Sequence, residues 1–203
     1  MAEWQSGSVE ANGVTIHYTR TGGNKPVVVM AHGVTDSGLC WSPLARELEG
    51  DFDLIMVDAR GHGQSSGPEG SYGPDVQAED LAGLIPTLGL EKPAVLGHSM
   101  GAGTALVLAG AHPELVGSIL LEDPPAWWTE WYDTPDAREM VGGMKSRALG
   151  YKSLSRDELI VAAREGHPDW SDAAPTCWWY SSRTTAPMSI GRPPWAGSPA
   201  RCC

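Results

Sequence analysis

The sequence predicts an α/β fold, a mostly parallel sheet flanked by helices, and two observations carry that prediction. Four apolar runs, VVVMAHG (27–33), DLIMVDARG (53–61), PAVLGHS (93–99) and VGSILLED (116–123), are continuous rather than alternating. Strands covered on both faces, as in a parallel sheet, read this way. Segments with helical spacing of apolar residues separate the runs, and strand–helix alternation is what parallel crossovers require.

The elements follow in order. VTIHYTR (14–20) alternates apolar and polar residues, as an antiparallel edge hairpin strand does. The first buried run follows at 27–33. Trp41, Leu44 and Leu48 share one side of a predicted helix, and the second buried run begins at Asp53. Asp75 to Leu88 is amphipathic through Val76, Leu81, Leu84 and Ile85, with Pro86 kinking or ending it. The third run leads into Met100 to Gly110, small and apolar, the composition of a helix packed on a sheet. The fourth run closes a core unit of residues 1–123 with no internal repeat. Residues 124–172 form a second segment, in which SRDELIVAAREG (155–166) predicts a helix started by Ser155 or Asp157.

Composition narrows the function classes. The 203 residues are 41% hydrophobic and 19% charged, which excludes a disordered chain and allows a sizeable core. Lys and Arg number 14 against 25 Asp and Glu, a net charge of −11 that argues against a nucleic-acid partner. No apolar run has the length of a membrane span and the N-terminus has no secretory signal, so a cytoplasmic location is expected. Cys40, Cys177, Cys202 and Cys203 lack ligand spacing, and neither a metal nor an organic cofactor is implied.

Residues 173–203 break the pattern. They contain no Asp, Glu, Lys, His, Leu or Val, their charges are Arg183, Arg192 and Arg201, and no period of 2 or 3.6 fits them. This segment is read as a low-order tail, either a natural flexible end or out-of-frame translation of GC-rich DNA.

In open α/β sheets ligands sit beyond the carboxyl ends of strands, and three motifs lie there. Gly97-His98-Ser99-Met100-Gly101 is a G-x-S-x-G pentapeptide between a buried strand and a helix. Such a sharp turn strains the central residue and lifts its hydroxyl clear of the sheet. Ser99 is therefore the candidate nucleophile. An acyl-transfer nucleophile needs donors for the developing oxyanion, and the N–H of Met100 supplies one. The N–H of Val34, in the loop His32 to Gly38, fits as the second. His32 is read as a brace of that loop. In Asp58-Ala59-Arg60-Gly61-His62-Gly63-Gln64-Ser65, Asp58 is read as a loop anchor through backbone and Arg contacts, with a catalytic acid as the alternative, and His62 as a loop residue.

HGVTDSG, DARGHGQS and GHSMGAG, in this order and spacing, resemble the α/β-hydrolase fold superfamily, in its esterase, haloperoxidase-like and epoxide-hydrolase-like branch. The resemblance covers about residues 8–172. It implies an α/β-hydrolase core with a small helical cap over 124–172, and a serine hydrolase in which Ser99 attacks the substrate. Relatives that open epoxides or remove halide carry Asp at this position. Serine instead forms an acyl-enzyme, so small esters or lactones are the expected substrates. Trp127, Trp128 and Trp131 either line an acyl pocket or pack the cap on the core. Asp123, after the strand preceding the cap, is the candidate catalytic acid, with a loop-capping role as its alternative.

A histidine base is missing from the pattern. Of the six histidines His17, His32, His62, His98, His112 and His167, only the last two follow Ser99, and neither matches the family's base after the last strand. The sheet also reads as incomplete at its C-terminal end. Loss of a triad member leaves roughly 10³–10⁴-fold over water, so impaired turnover is expected. A non-catalytic ligand-binding protein of the same fold, or a non-functional frameshift product, is the alternative.

Overall fold

The computed structural model describes residues 4–67 and 72–125, and beyond them residues 134–136, 139, 154, 155, 157, 158, 161 and 162. Six strands form one sheet: β1 (Gln5–Ala11), β2 (Val14–Arg20), β3 (Val27–Ala31), β4 (Asp53–Val57), β5 (Ala94–His98) and β6 (Ser118–Glu122). Their spatial order is β1-β2-β4-β3-β5-β6. β4, β3, β5 and β6 run parallel, and β1 and β2 join antiparallel on the β4 side. The helices are α1 (Ser42–Leu48), α2 (Pro74–Thr87) and α3 (Met100–Ala111), with a 3-10 turn at Gly38–Trp41 before α1.

The apolar runs are continuous because the sheet is covered on both faces. Val29, Ile55, Val57 and Val95 pack against Ala78, Leu81, Leu84 and Ile85 of α2 and Ala105 and Leu108 of α3. Met30, Leu54 and Met56, on the opposite face, pack against Trp41 and Ala45. Alternate residues of β3 and β4 thus enter two cores, so the positions 27–31 and 54–57 are all apolar.

β2 is a hairpin strand as expected, but it is not the edge of the sheet. β1 occupies the edge, paired with β2 from Gln5↔Arg20 to Ala11↔Val14. The signal was Asn12-Gly13, whose φ values of 48° and 74° let a two-residue turn match the twist of the strands. β6 departs from its expectation too. It pairs with β5 on one side and has no strand partner on the other among the described residues, and Leu120 and Leu121 are 51% and 36% exposed. A continuous apolar run is buried only where both faces are covered.

Pro86 lies in the last turn of α2, one residue before its end. The N–H of Gly89, at φ 65°, bonds the Pro86 carbonyl at 3.0 Å, and that of Leu90 bonds Ile85 at 3.0 Å, closing the helix with a left-handed glycine. Of the two starts expected for the helix in 155–166, Ser155 caps it. Its hydroxyl accepts from the Glu158 N–H at 3.3 Å, and the Glu158 carboxylate accepts from the Ser155 N–H at 2.8 Å. Residues 157, 158, 161 and 162 are helical. Most of the cap segment and all of the tail 173–203 lie outside the described residues. No helix among the described residues is long and apolar enough to cross a membrane.

Candidate active site

The site is built on the turn from β5 to α3. Ser99 has φ 48° and ψ −109°, outside the regions open to an unstrained L-residue. The flanking glycines are there for space. A Cβ on Gly97 would stand 2.6 Å from the nitrogen of Ala102, and one on Gly101 would stand 2.8 Å from Cβ of Ala31. Strand and helix can therefore meet this closely only if both positions lack a side chain. Three backbone hydrogen bonds hold the turn: Ser99 N–H to the Glu122 carbonyl at 2.9 Å, Gly101 N–H to the His32 carbonyl at 3.1 Å, and Gly103 N–H to the Ser99 carbonyl at 3.1 Å. Met100 opens α3, so its N–H is one of the four that a helix leaves without an internal acceptor. Ser99, Met100 and Val34 are all partly exposed.

The loop after β3 is braced from several sides. His32 is 1% exposed, its Nε2 accepts from the Ala59 N–H at 3.0 Å, and Nδ1 therefore carries the proton it donates to the Gly33 carbonyl at 2.7 Å. Burial first, then the nearby His62, lowers its pKa to about 3, so the brace is neutral at physiological pH. His62 lies edge-on to it with ring centroids 5.0 Å apart. The His62 ring nitrogens face the carbonyls of Arg60 at 2.9 Å and Val34 at 3.0 Å, tying the two loops together. His32 and His62 thus act as loop residues, as expected.

Asp58 anchors the loops, but not through arginine. Its Oδ1 accepts from the Gly38 N–H at 2.7 Å, and its Oδ2 from the Gln64 N–H at 2.9 Å and from His17 Nδ1 at 2.9 Å. Arg60 turns instead to Asp80 on α2, with Nε 2.6 Å from Oδ2 and both side chains buried. Sequence reasoning missed His17 and Asp80 as partners, because residues 41 and 20 positions apart in the chain announce no pairing. It also missed Asp36, partly buried in the same loop. Burial raises its pKa, against a smaller lowering by His98 and His62. Gly33 to Asp36 forms a turn closed by the Asp36 N–H on the Gly33 carbonyl at 3.1 Å.

The remaining candidates divide. Asp123 follows β6, and β6 pairs with β5 through His98↔Glu122, so Asp123 stands at the strand end beside Ser99. It is exposed and takes φ 45°, a left-handed conformation rare for a non-glycine residue. The His98 ring turns toward Gly33, where a glycine Cβ would meet its Nδ1 at 2.9 Å. His112 bonds Glu79 at 2.9 Å from the far end of α3, about 20 Å along the helix axis from Ser99. His167, Trp127, Trp128 and Trp131 lie outside the described residues.

The comparisons agree with the fold. A sequence model described as the alpha/beta hydrolase fold matches residues 26–142, more than half of the chain. The chain belongs to the α/β-hydrolase fold family. N-formylmaleamate deformylase of Pseudomonas putida is 38% identical over 120 residues, 59% of this chain and 45% of that protein. 2-(Acetamidomethylene)succinate hydrolase of Mesorhizobium japonicum is 36% identical over 169 residues, 78% of this chain and 60% of that protein. The crystal structure of E-2-(acetamidomethylene)succinate hydrolase superposes with a TM-score of 0.70 at 26% identity, covering 90% of this chain and 64% of that one. This α/β-hydrolase chain thus spans about half the length of the curated relatives it matches.

Proposed function

We propose that this α/β-hydrolase chain carries the nucleophile and oxyanion half of a serine hydrolase acting on small carboxylic esters or lactones. Ser99 Oγ bonds to the carbonyl carbon, the N–H groups of Val34 and Met100 receive the oxyanion, and collapse breaks the carbon–oxygen bond to the alcohol, which leaves carrying the serine's proton and gives an acyl-enzyme. Asp123 is the acid of the proposed site; the acyl-pocket role read from the sequence for Trp127, Trp128 and Trp131 falls on residues outside those the structure describes. The observation that carries the reading is the strained conformation of Ser99 between two glycines that admit no side chain. A binding protein has no use for that strain, which costs on the order of 1–3 kcal/mol. Serine rather than a carboxylate at this turn favours acyl transfer over epoxide opening.

Among the described residues no imidazole is bonded to Ser99, so acylation and deacylation are both expected to be slow. The test is labelling by a fluorophosphonate and the release of p-nitrophenol from p-nitrophenyl acetate, with Ser99→Ala as control. An acetyl or phosphonyl group located on Ser99 by fragment-ion mass spectrometry, and absent from that peptide in Ser99→Ala, supports the assignment. Labelling and hydrolysis unchanged in Ser99→Ala would remove Ser99 from the chemistry, and ligand binding without labelling would favour a binding protein.

A second substrate class rests on the relatives. One is named for deformylation of N-formylmaleamate and the other for hydrolysis of an acetamidomethylene compound. Amide carbonyls are therefore tested beside esters, by following release of formate or acetate from small N-formyl and N-acetyl acids.

A further inference from the structure

A second acid, base and hydroxyl stand in line on the antiparallel side of the sheet. The Asp58 carboxylate accepts from two backbone N–H groups, those of Gly38 and Gln64. His17 on β2 brings Nδ1 to 2.9 Å of its Oδ2. A carboxylate that serves these donors only accepts, so Nδ1 carries the imidazole proton and Nε2 presents a lone pair. That Nε2 lies 2.6 Å from Oγ of Ser6 on β1. His17 and Asp58 are 6% and 4% exposed, whereas Ser6 is open to solvent. The His17 backbone is fixed too, its N–H on the Ser65 hydroxyl at 2.8 Å and its carbonyl accepting from the Asp58 N–H at 3.0 Å.

We propose that Ser6 is a second activated hydroxyl of this protein, with His17 as its base and Asp58 as the group that orients and charges the base, and that it is acylated by activated esters. An exposed hydroxyl on an imidazole, itself held by a buried carboxylate, is the arrangement that turns serine into a nucleophile. It is separate from Ser99, for β1 and β5 are four strand spacings apart, about 19 Å. In the step, Ser6 Oγ bonds to the ester carbonyl carbon while its proton passes to His17 Nε2. The carbon–oxygen bond to the leaving phenol then breaks, and the phenol departs with the proton from Nε2, leaving acyl-Ser6 and neutral His17. Ser6 lies in a regular strand rather than a strained turn, so the outcome is one acyl group per chain rather than fast turnover.

Ser8 provides an internal control. It is exposed on the same face of β1, two residues on and directly across the ladder from His17, yet the ring's Nε2 is bonded to Ser6. The full chain carrying Ser99→Ala is treated with p-nitrophenyl acetate, digested, and the acetyl groups are located by fragment-ion mass spectrometry. Acetylation of Ser6 over Ser8 by at least about 100-fold is expected, the factor a positioned general base contributes. His17→Gln should bring the ratio toward 1. Equal labelling of the two serines, labelling of neither, or a Ser6 preference that survives His17→Gln would each overturn the proposal. If His17→Gln does not fold, the ratio within the Ser99→Ala chain still decides. Because Ser99 is absent throughout, its own role does not enter the result.

Discussion

Gly101 and Gly110 lie on the same helix, and the same substitution is expected to act on them with opposite sign. A Cβ at Gly101 would stand 2.5 Å from the carbonyl carbon of Ala31 and 2.8 Å from its Cβ. Ordinary carbon contacts lie at about 3.5–4.0 Å, so α3 must retreat by about 1 Å. Ala31 cannot yield, since β3 is paired there with Val57 on one side and Gly97 on the other. The retreat also stretches the Gly101 N–H bond to the His32 carbonyl. Overpacking costs about 1–3 kcal/mol and the hydrogen bond about 1–3 kcal/mol, while replacing a helical glycine returns about 1 kcal/mol. Gly101→Ala is thus expected to destabilise by about 1–5 kcal/mol. At Gly110 the added methyl meets open space, and Gly110→Ala should stabilise by about 0.5–1 kcal/mol. Urea unfolding followed by tryptophan fluorescence, compared at constant m-value, should separate the two variants by at least about 1.5 kcal/mol. Equal midpoints, or a Gly101→Ala chain more stable than the parent, would refute the packing argument.

Three further outcomes are expected. His32 has its pKa lowered from 6.5 to about 3. Above pH 6.5 the ring is neutral folded and unfolded; below it the unfolded chain binds a proton that the folded chain refuses. Stability then falls as pH is lowered, by about 2 kcal/mol from this residue between pH 7 and 5, and a His32→Gln chain with the parent's pH slope in chemical denaturation would contradict this. Ser99→Gly relieves the strain at φ 48° and should raise stability by about 1 kcal/mol while losing fluorophosphonate labelling; a loss of stability speaks against stored strain. Asp80→Ala breaks the buried ion pair with Arg60 and removes the acceptor for Asn12, and should cost about 3–5 kcal/mol in urea unfolding, with the double variant Arg60→Met/Asp80→Leu losing less; equal losses would deny that breaking the ion pair one-sidedly is the cause.

Local pattern was enough for the parallel core. Continuous runs at 27–33, 53–61 and 93–99 became β3, β4 and β5 because a strand with cores on both faces has little room for polar residues away from its ends. The G-x-S-x-G turn was legible for a similar reason: its close contacts join residues within five positions of one another, or a glycine to the neighbouring strand. Folding decided the rest. Whether β2 is an edge, whether β6 is covered, and which partners Asp58 and Arg60 take all depend on elements that meet across tens of residues. Hydrogen bonds and ion pairs act at about 3 Å and carry no periodicity along the chain, so Ser6, His17 and Asp58 come into line only once β1, β2 and β4 have paired.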